Sequence, residues 1–124
     1  MTPQIQYNVE ASVVRVTYSG KVMYGVTTEA IRKAARLATE AQIKRLLFDL
    51  RNADYEQYFA GTVQHAEEGP AMGVDKSFRI AFLGTEKQLV MLRFIEDVSV
   101  NRGYLAKIFV DEAQAVAWIG RDEP

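Results

Sequence analysis

The chain has 124 residues, the length of one domain, with 48% hydrophobic and 25% charged side chains, which excludes a disordered or fibrous protein. Fifteen basic against sixteen acidic side chains leave a net charge of −1, so no long-range field draws it to nucleic acid or an anionic membrane. The absence of cysteine excludes disulfides, thiolate metal sites and thiol nucleophiles, and a single histidine, His65, removes most metal cages and catalytic triads.

Ile5, Tyr7 and Val9 alternate with polar residues, as do Val14, Val16 and Tyr18 after a break at Glu10-Ala11-Ser12. Period-two alternation of β-branched and aromatic residues reads as two half-buried strands joined in a hairpin. Ser19-Gly20 closes the second strand, and Lys21 to Val26 reads as an extended link. Thr27 or Thr28 then caps a helix running to about Gln42, with Ile31, Ala34, Ala35 and Ala38 on its apolar face. Ile43 to Leu50 is nearly continuous apolar sequence, the pattern of a strand buried on both faces.

Asp54 is placed to cap a second helix from Tyr55 to about Ala66, with Tyr55, Tyr58, Phe59 and Val63 at helical spacing. The stretch around Gly69-Pro70 as far as Ser77 reads as a loop, and Phe78 to Leu83 as a fourth strand. Thr85 with Gln88 forms a capping box that opens a third helix, whose buried stripe is Met91, Phe94, Ile95 and Val98 and whose terminator is Gly103. Tyr104 to Val110 is the last strand. Asp111 with Gln114 repeats the cap pattern before a short helix with Ala113, Val116, Ala117 and Ile119 facing inward.

The order is β-β-α-β-α-β-α-β-α, a single α/β domain over residues 1–124. Short connections between alternating strands and helices imply right-handed crossovers and a mostly parallel five-stranded sheet, with an antiparallel first strand. An edge strand, first or last, is open to pairing, and Gln4, Gln6 and Asn8 guard the first one only with neutral groups, which leaves a homodimer open. No apolar run approaches the roughly 20 residues of a membrane span, and no secretory leader or lipidation motif is visible, so the cytoplasm is the expected location.

Tyr18-Ser19-Gly20-Lys21-Val22, Leu46-Leu47-Phe48-Asp49-Leu50, Arg79-Ile80-Ala81 and the closing stretch from Gly103-Tyr104 through Ile108-Phe109-Val110-Asp111-Glu112-Ala113 to Ala117-Trp118-Ile119 carry a family resemblance. In this order the chain resembles STAS domains, the anti-sigma-factor antagonist fold, and more narrowly the SpoIIAA-like proteins grouped with STAS and CRAL-TRIO lipid-transfer domains. The likeness spans about residues 4 to 120. It implies a regulatory, non-enzymatic protein. In the antagonists a serine in an Asp-Ser-Ser/Thr-Gly type turn is phosphorylated where the third strand meets the second helix. Here that place reads Arg51-Asn52-Ala53-Asp54-Tyr55-Glu56, without serine or threonine, so the phosphoserine switch does not carry over.

Little catalytic chemistry is visible. His65 lacks a nucleophile at a recognisable spacing and reads as a surface or half-buried helix-end residue; with Asp54 it is the one acid–base pair an enzyme could use. Asp49 inside an apolar strand needs a partner, for which Arg51, Arg45 or a backbone amide is at hand, or else joins Asp54 as a carboxylate pair. Gly69-Pro70-Ala71-Met72-Gly73 lacks the context of a phosphate loop, and no cofactor or metal site is expected. Arg32, Lys33 and Arg36, with Lys44 and Arg45, read as solvated helix and strand positions rather than a nucleic-acid surface.

The expected function is therefore binding, through contact with another protein around the second helix, with Asp54, Tyr55, Tyr58, Phe59 and Met72 as candidate residues. The alternative is a carrier of a lipid or small apolar ligand, or a membrane-peripheral protein. In that case the second helix would be a mobile lid over a cavity lined by Met91, Phe94 and Ile95.

Overall fold

In the computed structural model, which describes residues 3–54 and 59–121, the elements follow the expected order. They are β1 (Gln4–Glu10), β2 (Val13–Lys21), α1 (Tyr24–Glu40), β3 (Arg45–Asp54), α2 (Phe59–Glu68), β4 (Arg79–Leu83), α3 (Leu89–Asn101), β5 (Leu105–Phe109) and α4 (Glu112–Ile119). The five strands lie side by side in chain order, β1 antiparallel to β2 and the rest parallel, so β1 and β5 are the two edges.

A sheet that grows in one direction through right-handed crossovers places every crossover helix on one face. The packing agrees. Ala34, Ala35 and Ala38 of α1 lie over Val14, Val16 and Leu46, and Met91, Leu92 and Ile95 of α3 lie over Tyr18 and Leu50. The chain after β5 then crosses to the opposite face, where Ala115, Trp118 and Ile119 of α4 cover Leu47, Ala81, Leu83 and Phe109. Alternation along β3 serves both layers, Leu46 and Leu50 toward three helices and Leu47 and Asp49 toward one.

Several boundaries differ from the sequence expectations. α1 begins at Tyr24, with Met23 as its N-cap and no side-chain capping bond, rather than at Thr27 or Thr28. Thr28 spends its hydroxyl inside the helix on the Tyr24 carbonyl, at 2.9 Å, which a threonine can do instead of capping. β3 runs on to Asp54, because β2 continues far enough to pair Lys21 with Asp54. Arg51 and Asn52 did not read as strand because that part of the sheet is exposed. Asp54 is thus the last residue of a strand, and the helix start at Tyr55 that it is expected to cap lies outside the described residues. Pro70–Met72 forms one 3-10 turn within the expected loop.

The inward face of α4 is also phased differently. Ala115, Trp118 and Ile119 are buried, while Ala113, Val116 and Ala117 are exposed. A helix apolar nearly all round has no periodicity to fix its phase; the Trp118 ring settles it by lying 4.3 Å from the buried Arg79 guanidinium. Two other caps match the sequence reading: the Thr85–Gln88 capping box is complete, and Asp111 accepts from the Gln114 amide at 3.0 Å.

The β1–β2 turn places Ala11 at φ 52° and Ser12 at φ 63°. Two consecutive left-handed residues make the tight hairpin turn that Asn-Gly favours. Ala11→Asn combined with Ser12→Gly is therefore expected to stabilise the fold by about 1 kcal/mol. A urea midpoint that does not rise would contradict this.

Candidate functional site

The space between the sheet and the three crossover helices is not completely filled. A cavity of about 110 Å³ lies there. Its floor is Val16, Leu46, Phe48, Leu50, Ile80 and Phe82 from the sheet, with Phe48 and Phe82 stacked at 5.7 Å between ring centroids. Its roof is contributed by Thr27 and Ile31 of α1, His65 and Ala66 of α2, Ile95 of α3, and Met72 from the 3-10 turn. Among the described residues the lining is apolar apart from a few hydroxyl groups and His65.

Of the residues expected to matter, Met72 is buried and lines this cavity. Ile95 does so too, whereas Met91 and Phe94, expected beside it, pack with the α3 cluster outside the lining. α1 was not foreseen as a wall. Tyr55 and Tyr58 lie outside the described residues, as does the side chain of Phe59, whose backbone opens α2.

His65 is buried rather than at the surface, with 8% exposure. Its Nε2 lies 2.8 Å from Thr28 Oγ1, and its ring stacks on Tyr24 with centroids 4.4 Å apart and planes 11° from parallel. Tyr24 in turn donates its hydroxyl to Glu68. These contacts tie α2 to the first turns of α1. Burial pulls the His65 pKa below the usual histidine value, against the opposing pull of Glu68. The folded state therefore favours neutral His65, while the unfolded chain takes up the proton near pH 6.5. Stability from this residue is complete above about pH 6.5 and is lost as pH falls through the lower folded value. His65→Gln should flatten the fall in melting temperature between pH 7.5 and 5; an identical slope would show that His65 does not contribute to it.

Asp49 lies on the other face. It is 4% exposed and is held by Arg15 from β2 at 2.9 Å and by Arg51 at 2.8 and 3.0 Å, with the Arg51 amide also donating at 3.3 Å. Glu112, at the start of α4, closes the group by pairing with Arg15 at 3.1 Å and Arg51 at 3.0 Å. Burial would push the Asp49 carboxyl up, but the arginine hydrogen bonds outweigh it and hold it below the usual carboxylate range. Two cations and two anions balance here. The expectation that Asp49 is satisfied structurally holds for Arg51 and its amide; Arg15, not Arg45, is the second partner.

A third feature is the end of the sheet where the parallel strands finish. Asp54 is exposed there, beside Lys21. The Val22 amide donates to the Asp54 carbonyl at 2.8 Å, and Gln88 docks the start of α3 by donating to the carbonyls of Leu50 and Ala53. Next to these anchors, Met23 is 48% and Val90 77% exposed. Sequence reasoning passed over both: Met23 falls in the link from Lys21 to Val26, and Val90 lies outside the buried stripe named for the third helix, an apolar residue off that stripe being the signal that singles it out.

Among the described residues no three His, Asp or Glu side chains gather to hold a metal ion, and no helix is long and apolar enough to cross a membrane.

No family model and no curated protein matches the chain. Solved structures do. An anti-sigma factor antagonist from Mycobacterium paratuberculosis superposes with a TM-score of 0.63 at 12% identity, covering 97% of this chain and 96% of its own. An uncharacterised protein with a SpoIIAA-like fold from Shewanella loihica PV-4 gives 0.54 at 18% identity, covering 94% and 93%. The chain thus has the SpoIIAA-like fold along almost its whole length, the fold expected from the STAS resemblance.

Proposed function

We propose that this chain is a non-enzymatic regulatory module of the STAS kind. It acts in the cytoplasm by docking another protein on the C-terminal edge of its sheet, without a phosphoserine switch. The observation that carries this reading is the apolar exposure at that edge, Val90 at 77% and Met23 at 48% around the exit of β3 at Asp54. Open α/β sheets bind their ligands at this edge, and Met23, after the end of β2, and Val90, in the first turn of α3 after β4, both belong to it. Asp54, Tyr55, Tyr58 and Phe59 follow in sequence from the same strand end and remain candidate contacts. Likeness in fold to an anti-sigma factor antagonist supports a protein partner. Residues 51–57 hold no serine or threonine, so Asp54 and Glu56 supply a standing negative charge where the antagonists add a removable one. His65, the best acid–base candidate, is engaged with Thr28 and Tyr24, which supports the non-enzymatic reading.

Val90→Glu and Met23→Glu test this. Both side chains are exposed, so stability should shift by less than about 0.5 kcal/mol. The partner that co-purifies with the wild-type chain from its own cells should be lost from the double variant. A double variant that retains its partner in full would refute the docking edge.

The cavity supports a second reading, a binder of a small apolar ligand with α2 as lid. At about 110 Å³ it is of the order of an engineered apolar cavity of roughly 150 Å³ that takes up benzene, which favours a small molecule over a long acyl chain.

A further inference from the structure

One lining residue of the cavity carries a buried hydroxyl that bonds to none of the described residues. Thr27 Oγ1, in the first turns of α1, is buried and has no hydrogen-bond partner among the described residues. Its neighbour Thr28 is fully employed, on the Tyr24 carbonyl and His65 Nε2. A buried polar group left unpaired is costly, and proteins rarely keep one where an isosteric valine would fill the same space. Opposite lie the stacked rings of Phe48 and Phe82, with Ile95 and Met72 beside them. Among the described residues, the lining includes no lysine, arginine, aspartate or glutamate.

We propose that the cavity binds a small neutral amphiphile, a single ring or branched apolar body bearing one hydroxyl or carbonyl group that pairs with Thr27 Oγ1. The proposal deepens the ligand-binding reading of the cavity and rests on it. The volume sets the size of the body. The hydroxyl sets the head group. The described lining offers no counter-charge to a carboxylate or phosphate, which would be buried there unpaired. His65 does not supply one, since burial keeps it in the neutral form. Carrying a fatty acid or phospholipid headgroup into this space is therefore disfavoured.

Titration of the full chain with phenol, benzene and benzoate, followed by amide chemical shifts, tests this. Phenol should bind about 3- to 10-fold more tightly than benzene, the effect of one added neutral hydrogen bond. Benzoate should bind at least about 10-fold more weakly than phenol. Thr27→Val should bring phenol down to the benzene affinity and leave benzene unchanged, and Thr27→Ser should restore the preference. Equal affinities for phenol and benzene, a preference that survives Thr27→Val, or benzoate binding as well as phenol would overturn the head-group assignment while leaving an apolar cavity site in place. No saturable binding of either phenol or benzene would overturn the cavity reading together with it.

Discussion

Asp49→Ala is expected to lower the unfolding free energy by about 2–3 kcal/mol, one of two comparable effects that follow from close contacts in this fold. Removing one partner of a buried ion pair leaves the other charge without compensation, which is worse than never having had the pair. Here two arginines lose their buried partner at once and keep only the exposed Glu112, and β2 and β3 lose the carboxylate that ties them across Arg15. The expected loss sits at the low end for such deletions because the Arg51 side chain is 39% exposed and recovers part of its hydration. Glu112→Gln, at the exposed rim of the same group, should cost much less, because solvent screens its pairing with both arginines. The acid limb reports the same interaction. With its pKa held down, Asp49 stabilises the fold fully above the unfolded carboxylate value near pH 4, and that contribution disappears as pH falls through the folded value. Asp49→Asn should therefore flatten the loss of stability between about pH 5 and 2. Urea unfolding across that range checks both statements; an Asp49→Ala midpoint equal to wild type would mean the network contributes nothing net.

Gly69→Ala comes second, at about 2–3 kcal/mol, by overpacking. Gly69 has φ −47°, a helical value open to any residue, so conformational freedom is not what requires glycine. Space is. A Cβ there would lie 2.0 Å from Tyr104 Oη and 2.8 Å from its Cζ. Tyr104 cannot easily retreat: it is buried, its hydroxyl donates to the Val74 carbonyl at 2.9 Å, and Lys76 Nζ sits 3.9 Å over its ring. Because Gly69 and Tyr104 both line the cavity, the substitution should disturb the end of α2 more than the α4 face. Tyr104→Phe removes the closest contact at a cost of about 1 kcal/mol for the hydrogen bond. The double variant should then be more stable than the sum of the single effects predicts, by at least about 0.5 kcal/mol. Strict additivity in thermal or urea unfolding would show that the Gly69–Tyr104 contact is not what limits this position.

Element order was legible from the sequence because each strand and helix carries its own periodicity and most ends carry a cap or turn residue. The capping box at Thr85–Gln88 and the cap at Asp111 are local chemistry and appear where they were read. What failed depends on distant neighbours. Thr27 and Thr28 look like caps in isolation, yet α1 starts earlier, Thr27 lines a cavity and the Thr28 hydroxyl meets a histidine. Strand β3 outlasts its apolar run because β2 continues alongside it, a fact of pairing rather than pattern. In α4, alanine and valine occur on several faces, and only contact with Trp118 and Arg79 fixes which face is buried.

The candidate site was less legible than the fold for the same reason. Met72 could be singled out as an adaptable apolar residue, but its place in a cavity wall depends on three helices leaving a gap above the sheet. Volume between elements is not a property of any one segment's periodicity. Burial of His65 likewise depends on Tyr24, forty-one positions away by the numbering, stacking over its ring. Exposure of Met23 and Val90 at one edge is visible only once β2 and β4 lie in the same sheet.

Docking at the C-terminal edge of the sheet is the central claim, and site-specific photocrosslinking in the protein's own cells tests it most directly. A benzophenone amino acid would be introduced singly at Met23, Val90, Val9 and Val116, all of them exposed, the last two on β1 and on the opposite-face helix α4. The account predicts one discrete heavier protein adduct from Met23 and Val90, shared between them, and none from Val9 or Val116. Adducts confined to Val9 or Val116, equal yields from all four positions, or no adduct from Met23 and Val90 would contradict it.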